Sequence, residues 1–337
     1  MTVTPAVSHR IDVLKGVAIV AVIVLHGLPD AARYDSLASL HYWQAVPVFL
    51  FLMGFNGAGS FLRSGAATLS GLADRRYWTR RARRIGLPIA MAWVASLVLG
   101  AIAGRLDTGP LLLAGVFPMS GPGNYFITLT VEFIVLAPLL YVLVRRAPWA
   151  TLAVVFATEL AYELLYAHVD PHGSGINYLY NSGIPRYAVI CTLGMIVALR
   201  PQLVRPTAPG LVVPAVIGAA YLAWFSAKDG DVSAFVAYSG PANAISSFYA
   251  AWLAIAGLWW LPATRLAAVA RLGRASFHIF LAQMLWFALM TGTGAAALAL
   301  ALVVSLPAGL AFEWLNARAD ALLERSPRTR RPAAVAP

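Results

Sequence analysis

The chain has 337 residues; hydrophobic types make up 60% and charged types only 12%, yet the formal net charge is +11. Soluble domains average about 45–50% apolar and about 25% charged residues. This composition therefore excludes a disordered chain, a coiled coil and, despite the basic balance, a nucleic-acid-binding domain. The single Cys191 excludes a disulfide framework and a cysteine-rich metal site. With a mean hydropathy of +0.73, the chain reads as an all-α, polytopic membrane bundle. A spanning helix takes about 20 apolar residues, which leaves room for about ten spans and no sizeable soluble domain.

In chain order, a short polar stretch over residues 1–10 precedes the first apolar run, IDVLKGVAIVAVIVLHGLP. That run ends on Leu28, Pro29 and Asp30 rather than on a small-residue cleavage site, so it is read as a retained first helix. Further runs follow at roughly 43–62, 86–104, 124–144, 148–166, 185–199, 209–226, 244–262, 275–291 and 295–315. Residues 110–119 are too short to cross and are ringed by Gly and Pro, which suits an interfacial or re-entrant piece. Thr291-Gly292-Thr293-Gly294 should join the last two runs in a tight hairpin. Basic residues in short loops mark the cytoplasmic side. With the N-terminus inside and ten crossings, 21 of the 25 Lys and Arg residues fall on one side. The expected arrangement is one integral-membrane domain. Residues 1–10 and a basic tail over 317–337 are cytoplasmic, and 11–316 form the bundle.

Charged groups cost at least about 2.5 kcal/mol at the centre of a spanning helix, so each one asks for a reason. Asp12, Lys15 and His26 lie on the first run. Lys15 and His26 are 11 residues apart, which is about three turns and about 16 Å of rise, so they share a face. Lys15 then sits near the cytoplasmic end, within reach of Asp12 at i−3, and His26 lies deep. Lys15 is either a snorkelling anchor or an anion ligand. His26 is either a helix–helix hydrogen bonder or a general base facing a cavity, since imidazole titrates near neutral pH. The segment RRYWTRRARRIGLP, residues 75–88, holds six arginines. Most serve as positive-inside anchors, but Arg81 and Arg84 are i, i+3 neighbours whose guanidinium forks match phosphate oxygens.

Glu132 is a mid-span carboxylate with a functional or a hydrogen-bonded structural role. Glu159 and Glu163 form an i, i+4 pair that reads equally as a polar-substrate contact or as a solvated interfacial face. His168, Asp170 and His172 are spaced H-x-D-x-H, but Pro171 and nearby glycines mark a turn, and no metal is expected. His278 and Gln283 read as helix–helix contacts. There is no P-loop, dinucleotide fingerprint, G-x-S-x-G or zinc motif.

Taken together, these segments resemble the acyltransferase-3 family of integral-membrane acyltransferases. The run RIDVLKGVAIVAVIVLH is similar to the family's opening motif of a basic residue, ten intervening residues and a histidine, here Lys15 and His26, with Asp12 upstream. Lysine stands where arginine is usual; it keeps the charge and gives up the fork. VPVFLFLMGF resembles a pattern ending Ser-Gly-Phe, with Met53 in place of the serine. RARRIGLP resembles the R-x-x-R motif, on Arg81 and Arg84. NYFITLTVEFIVLAPLL resembles a Trp-Phe-Leu…Glu…Pro segment, with Tyr125 for Trp and Glu132 as the acid. LGRASFHIFLAQ resembles a segment that often ends in histidine, where this chain has Gln283.

The resemblance implies transfer of an acyl group, acetyl above all, from cytosolic acyl-CoA to a hydroxyl of a carbohydrate or other extracytoplasmic or lipid-linked acceptor. It implies Lys15, Arg81 and Arg84 as ligands of the CoA phosphates, with Asp12 holding Lys15. His26 is then a general base or a transient acyl carrier, and Glu132 orients His26 or binds the acceptor. The implied location is a bacterial inner membrane. The rival expectation is a transporter or flippase of a polar solute or glycolipid, with His26 and Glu132 as a proton relay.

Overall fold

The computed structural model describes residues 4–29, 37–66, 68–104, 121–168, 182–200, 202, 205–229, 242–262, 264–290 and 292–325. Every regular element among them is helical. The helices are α1 (Pro5–Gly27), α2 (Ala45–Ser64), α3 (Leu69–Leu72), α4 (Arg75–Arg81), α5 (Leu87–Ile102), α6 (Tyr125–Arg146) and α7 (Pro148–His168). They continue with α8 (Ala188–Leu199), α9 (Pro209–Asp229), α10 (Ala242–Trp260), α11 (Ala267–Arg274), α12 (Ser276–Leu289) and α13 (Ala295–Arg325). A π-helical segment, Ala82–Gly86, joins α4 to α5, and a 3₁₀ turn, Ile184–Tyr187, leads into α8. The 110–119 stretch, Asp170 and His172 lie outside the described residues.

A helix stands on each of the ten apolar runs. Four stretches are long and apolar enough to cross a membrane by length and composition: Ala38–Ser64, Leu69–Ile102, Tyr125–Arg146 and Ala295–Leu322. A fifth arises if α11 and α12, bent by 71°, are one broken span. That is fewer than the ten crossings expected from hydropathy. α8 with its 3₁₀ turn, α9 and α10 have only short apolar stretches. α1 carries Arg10, Asp12 and Lys15 within its length, and these dilute its apolar run.

Local chemistry sets the helix ends that matter here. Pro5 opens α1 at a position with no hydrogen bond to lose, and Thr4 Oγ1 accepts from the Val7 N–H at 3.4 Å. Asp74 caps α4 by accepting from the Tyr77 N–H at 2.7 Å. The core is drawn from α1, α2, α6 and α8, where Ile19, Ile23, Leu50, Phe51, Ile127, Leu129, Ile190 and Met195 are completely buried. By contrast, Val94, Val98 and Ile102 of α5, Val154 and Leu165 of α7 and Val213, Val216 and Ile217 of α9 face outward. Such apolar outer faces suit lipid rather than water.

Close backbone approach fixes α1 against α11. A side chain on Gly16 would collide with the Val269 carbonyl, and one on Gly273 with the Asp12 carbonyl. Small residues at such crossings let helix backbones touch. The turn of α1 that bears Asp12 and Lys15 is thereby pinned to α11 and its arginines.

Candidate active site

His26 occupies the last turn of α1. Its Nδ1 lies 3.1 Å from Oε1 of Gln283 on α12. The imidazole also meets the Phe287 ring edge-on, with centroids 5.8 Å apart. The third wall is the turn before α6. Gly121 and Gly123 both have positive φ, at 124° and 87°, a region that glycine enters without steric cost. A β-carbon on Gly123 would lie 3.2 Å from the Phe280 ring and 3.6 Å from His26 Cε1. Helices α1 and α12 and the glycine turn therefore converge on one imidazole. Gln283 is a site residue that the sequence reading treats as a helix contact. Its signals were a lone amide on an apolar helix and its place where relatives often carry histidine.

Lys15, Arg81 and Arg84 lie near one another about three turns before His26, at the middle of α1. Lys15 lies within electrostatic range of both Asp12 and Arg84. Arg84 in turn lies close to Arg81. The guanidinium of Arg81 stacks over the Tyr77 ring, 5.4 Å from its centroid, and the Tyr77 hydroxyl donates to the Ile134 carbonyl at 2.6 Å. That bond ties the stacking platform to α6. Arg84 sits inside the π-helical segment; such one-turn irregularities re-aim side chains and recur at functional sites.

Neighbouring arginines behave differently. Arg271 pairs with Glu313, Arg83 lies 3.9 Å from Asp320, and Arg274 lies 3.9 Å from Asp12. Among the described residues, no carboxylate pairs with Arg81 or Arg84. Lys15, Arg81 and Arg84 thus lie near one another, with Asp12 beside Lys15 and Arg274. From Lys15 to His26 the helical rise is about 16 Å.

Glu132 has a partner other than His26. Its Oε2 accepts from the backbone N–H of Ile184 at 2.7 Å, at the start of the 3₁₀ turn. Glu159 and Glu163, read equally as a polar-substrate contact or as a solvated face, are completely buried, which excludes the solvated face. Glu159 Oε2 accepts from the Val189 N–H at 2.9 Å, and Glu163 Oε1 lies 3.4 Å from Nε of the buried Arg186. The physical reason is the broken backbone ahead of α8. A helix start leaves N–H groups without intrahelical partners, and lipid offers none. Carboxylates from α6 and α7 supply them. His278 packs edge-on against Phe312 of α13, 5.2 Å between centroids, as a helix contact.

A family model for an acyltransferase domain, acyltransferase-3, matches residues 8–318. No curated protein and no solved structure matches the chain.

Proposed function

Because the chain belongs to the acyltransferase-3 family of membrane acyltransferases, we propose that it moves an acetyl group from cytosolic acetyl-CoA to a hydroxyl of a carbohydrate or lipid-linked acceptor across a bacterial inner membrane. The observation that carries this reading is the cation group on Lys15, Arg81 and Arg84. It lies about three helical turns, about 16 Å of rise, from a histidine held by hydrogen bonding. The donor substrate carries phosphates at one end and a thioester at the other, which matches these two places in charge and in chemistry.

In this reading, Arg81 and Arg84 grip phosphate oxygens by paired N–H donors and Lys15 adds a point charge. Asp12 holds Lys15 and Arg274 on the rim. The acceptor hydroxyl oxygen attacks the thioester carbonyl carbon, and His26 takes the hydroxyl proton as general base. The tetrahedral intermediate collapses by breaking the C–S bond, and the imidazolium returns its proton to the departing thiolate. The products are an ester and free CoA thiol, and His26 ends in its starting form. Glu132 serves by fixing the start of α8 beside the site rather than by touching His26.

Initial rates of CoA thiol release, measured in membrane vesicles from cells producing the full chain, test the donor site. Arg81→Ala and Arg84→Ala should each raise the KM for acetyl-CoA about ten-fold or more, the size of a lost charge-assisted hydrogen bond. Arg271→Ala, whose guanidinium already has Glu313, should leave KM unchanged. Equal KM effects at all three positions would reduce the arginines to topology anchors.

A further inference from the structure

We infer that Gln283 works with His26 in the transfer step: its side-chain oxygen fixes the imidazole tautomer, and its amide nitrogen donates to the acyl carbonyl oxygen. The inference rests on the acyl-transfer reading above.

The observations are these. Gln283 is completely buried on α12, among Ile279, Phe280, Leu281 and Met284. Burying an amide without hydrogen bonds costs roughly 2–7 kcal/mol, so an amide here needs a use. Oε1 has one: His26 Nδ1 at 3.1 Å. Nε2 is buried and has no hydrogen-bond partner among the described residues. Native proteins pair the great majority of their buried polar atoms, and an exception asks for a ligand, an ion or a water. This exception sits on the residue that already holds the candidate base.

The orientation decides the chemistry. With Oε1 facing it, His26 Nδ1 must carry the proton, and Nε2 is the nitrogen with the lone pair. The reverse orientation would point the amide N–H at Nδ1, put the imidazole proton on Nε2 and remove the base. Only the first arrangement both activates a hydroxyl and leaves a donor over. That donor, the Gln283 Nε2–H₂ group, is part of the same rigid amide plane as the atom that holds the imidazole. Its place beside the imidazole is where the reacting carbonyl oxygen would accept it.

In the reaction, the acceptor oxygen forms a bond to the thioester carbon and its proton moves to His26 Nε2. The carbonyl oxygen gains the electron pair of the C=O π bond and accepts the Gln283 N–H. On collapse that pair re-forms the carbonyl, the C–S bond breaks, and sulfur takes the proton back from Nε2. A β-carbon on Gly123 would lie 3.6 Å from His26 Cε1, so the glycine leaves the space beside that edge of the ring open.

The test is thiol release from acetyl-CoA in vesicles carrying wild type, Q283M, Q283L and Q283E, with membrane accumulation measured for each. Methionine and leucine keep the volume and lose both hydrogen bonds; glutamate keeps an acceptor for Nδ1–H and loses the donor. We expect Q283M to lose about 100-fold in maximal rate, the typical effect of removing an oxyanion donor, with KM for acetyl-CoA unchanged. Q283E should retain more activity than Q283M. If Q283M does not accumulate, Q283L carries the same comparison. A packing role predicts the opposite order, with the apolar variants near wild type and the buried carboxylate worst; that order overturns the inference. An active wild type beside a Q283M within two-fold of it overturns the inference alone. A wild-type rate equal to empty-vector vesicles overturns the acyl-transfer reading as well.

Discussion

His26 and Lys15 are joined by one rigid helix, so each can be probed without moving the other. His26→Ala should abolish thiol release while the protein still accumulates in the membrane, because the ring sits at the last turn of α1 beside Gln283 and Phe287 rather than in the central core. A drop of about 10²–10⁴ fits removal of a general base. Lys15→Ala should raise the KM for acetyl-CoA and spare the maximal rate; a fall in maximal rate at unchanged KM would place Lys15 in the chemistry instead. At this scale the sequence was informative where spacing carried the signal. The 11-residue interval put Lys15 and His26 on one face, and R-x-x-R paired Arg81 with Arg84. It marked Gln283 as a helix–helix contact without naming the partner, which lies 257 residues away. No local pattern encodes a contact between one amide and one imidazole across that distance.

Two elements give the site its shape. The π-helical segment Ala82–Gly86 sets the phase between Arg81, stacked on Tyr77, and Arg84, turned toward Lys15. Deleting Ala82 would turn the preceding helix by about 100° relative to the following one. The expected result is a higher KM for acetyl-CoA with normal accumulation. An unchanged KM would show that the phase is irrelevant. The second element is the 3₁₀ turn ahead of α8, held by Glu132, Glu159 and Glu163. Glu163→Gln leaves the buried Arg186 short of a counter-charge, and breaking a buried pair typically costs about 3–5 kcal/mol. Thermal unfolding of the detergent-purified protein should register this as a clear fall in Tm. An unchanged Tm would mean the pair is not structural. Each of the ten apolar runs carries a helix, because apolar runs of helical length leave few alternatives, while the short helices α3, α4 and α11 fall outside them. The π segment and the 3₁₀ turn escaped hydropathy, since both depend on which backbone groups find partners across the bundle. For the same reason the sequence left Glu159 and Glu163 open between a polar-substrate contact and a solvated face, although neighbouring helices enclose them.

At the scale of the molecule, the positive-inside rule ascribes the excess of +11 to sidedness. Arg75, Arg76, Arg145, Arg146, Arg200 and Arg205 cluster at helix ends that the charge bias assigns to the cytoplasm. Cys191 is buried, so a Cys191→Ser background should give a protein silent to membrane-impermeant thiol reagents. Single cysteines at positions 76, 146 and 318 should then react only when the cytoplasmic face is open to the reagent. Labelling of 76 and 318 from opposite sides would refute an even number of crossings. The bundle's purpose in this reading is to hold a cytosolic donor by its phosphates at the middle of α1 and an acceptor hydroxyl beside His26 at the end of that helix. The most direct measurement supplies acetyl-CoA radiolabelled in its acetyl group to the outside of inverted membrane vesicles and follows the label. Wild-type vesicles should transfer label to membrane-associated glycan or lipid and release CoA thiol in equal amount, and His26→Ala vesicles should do neither. Label transfer by the His26→Ala protein at the wild-type rate would contradict acyl transfer at this histidine.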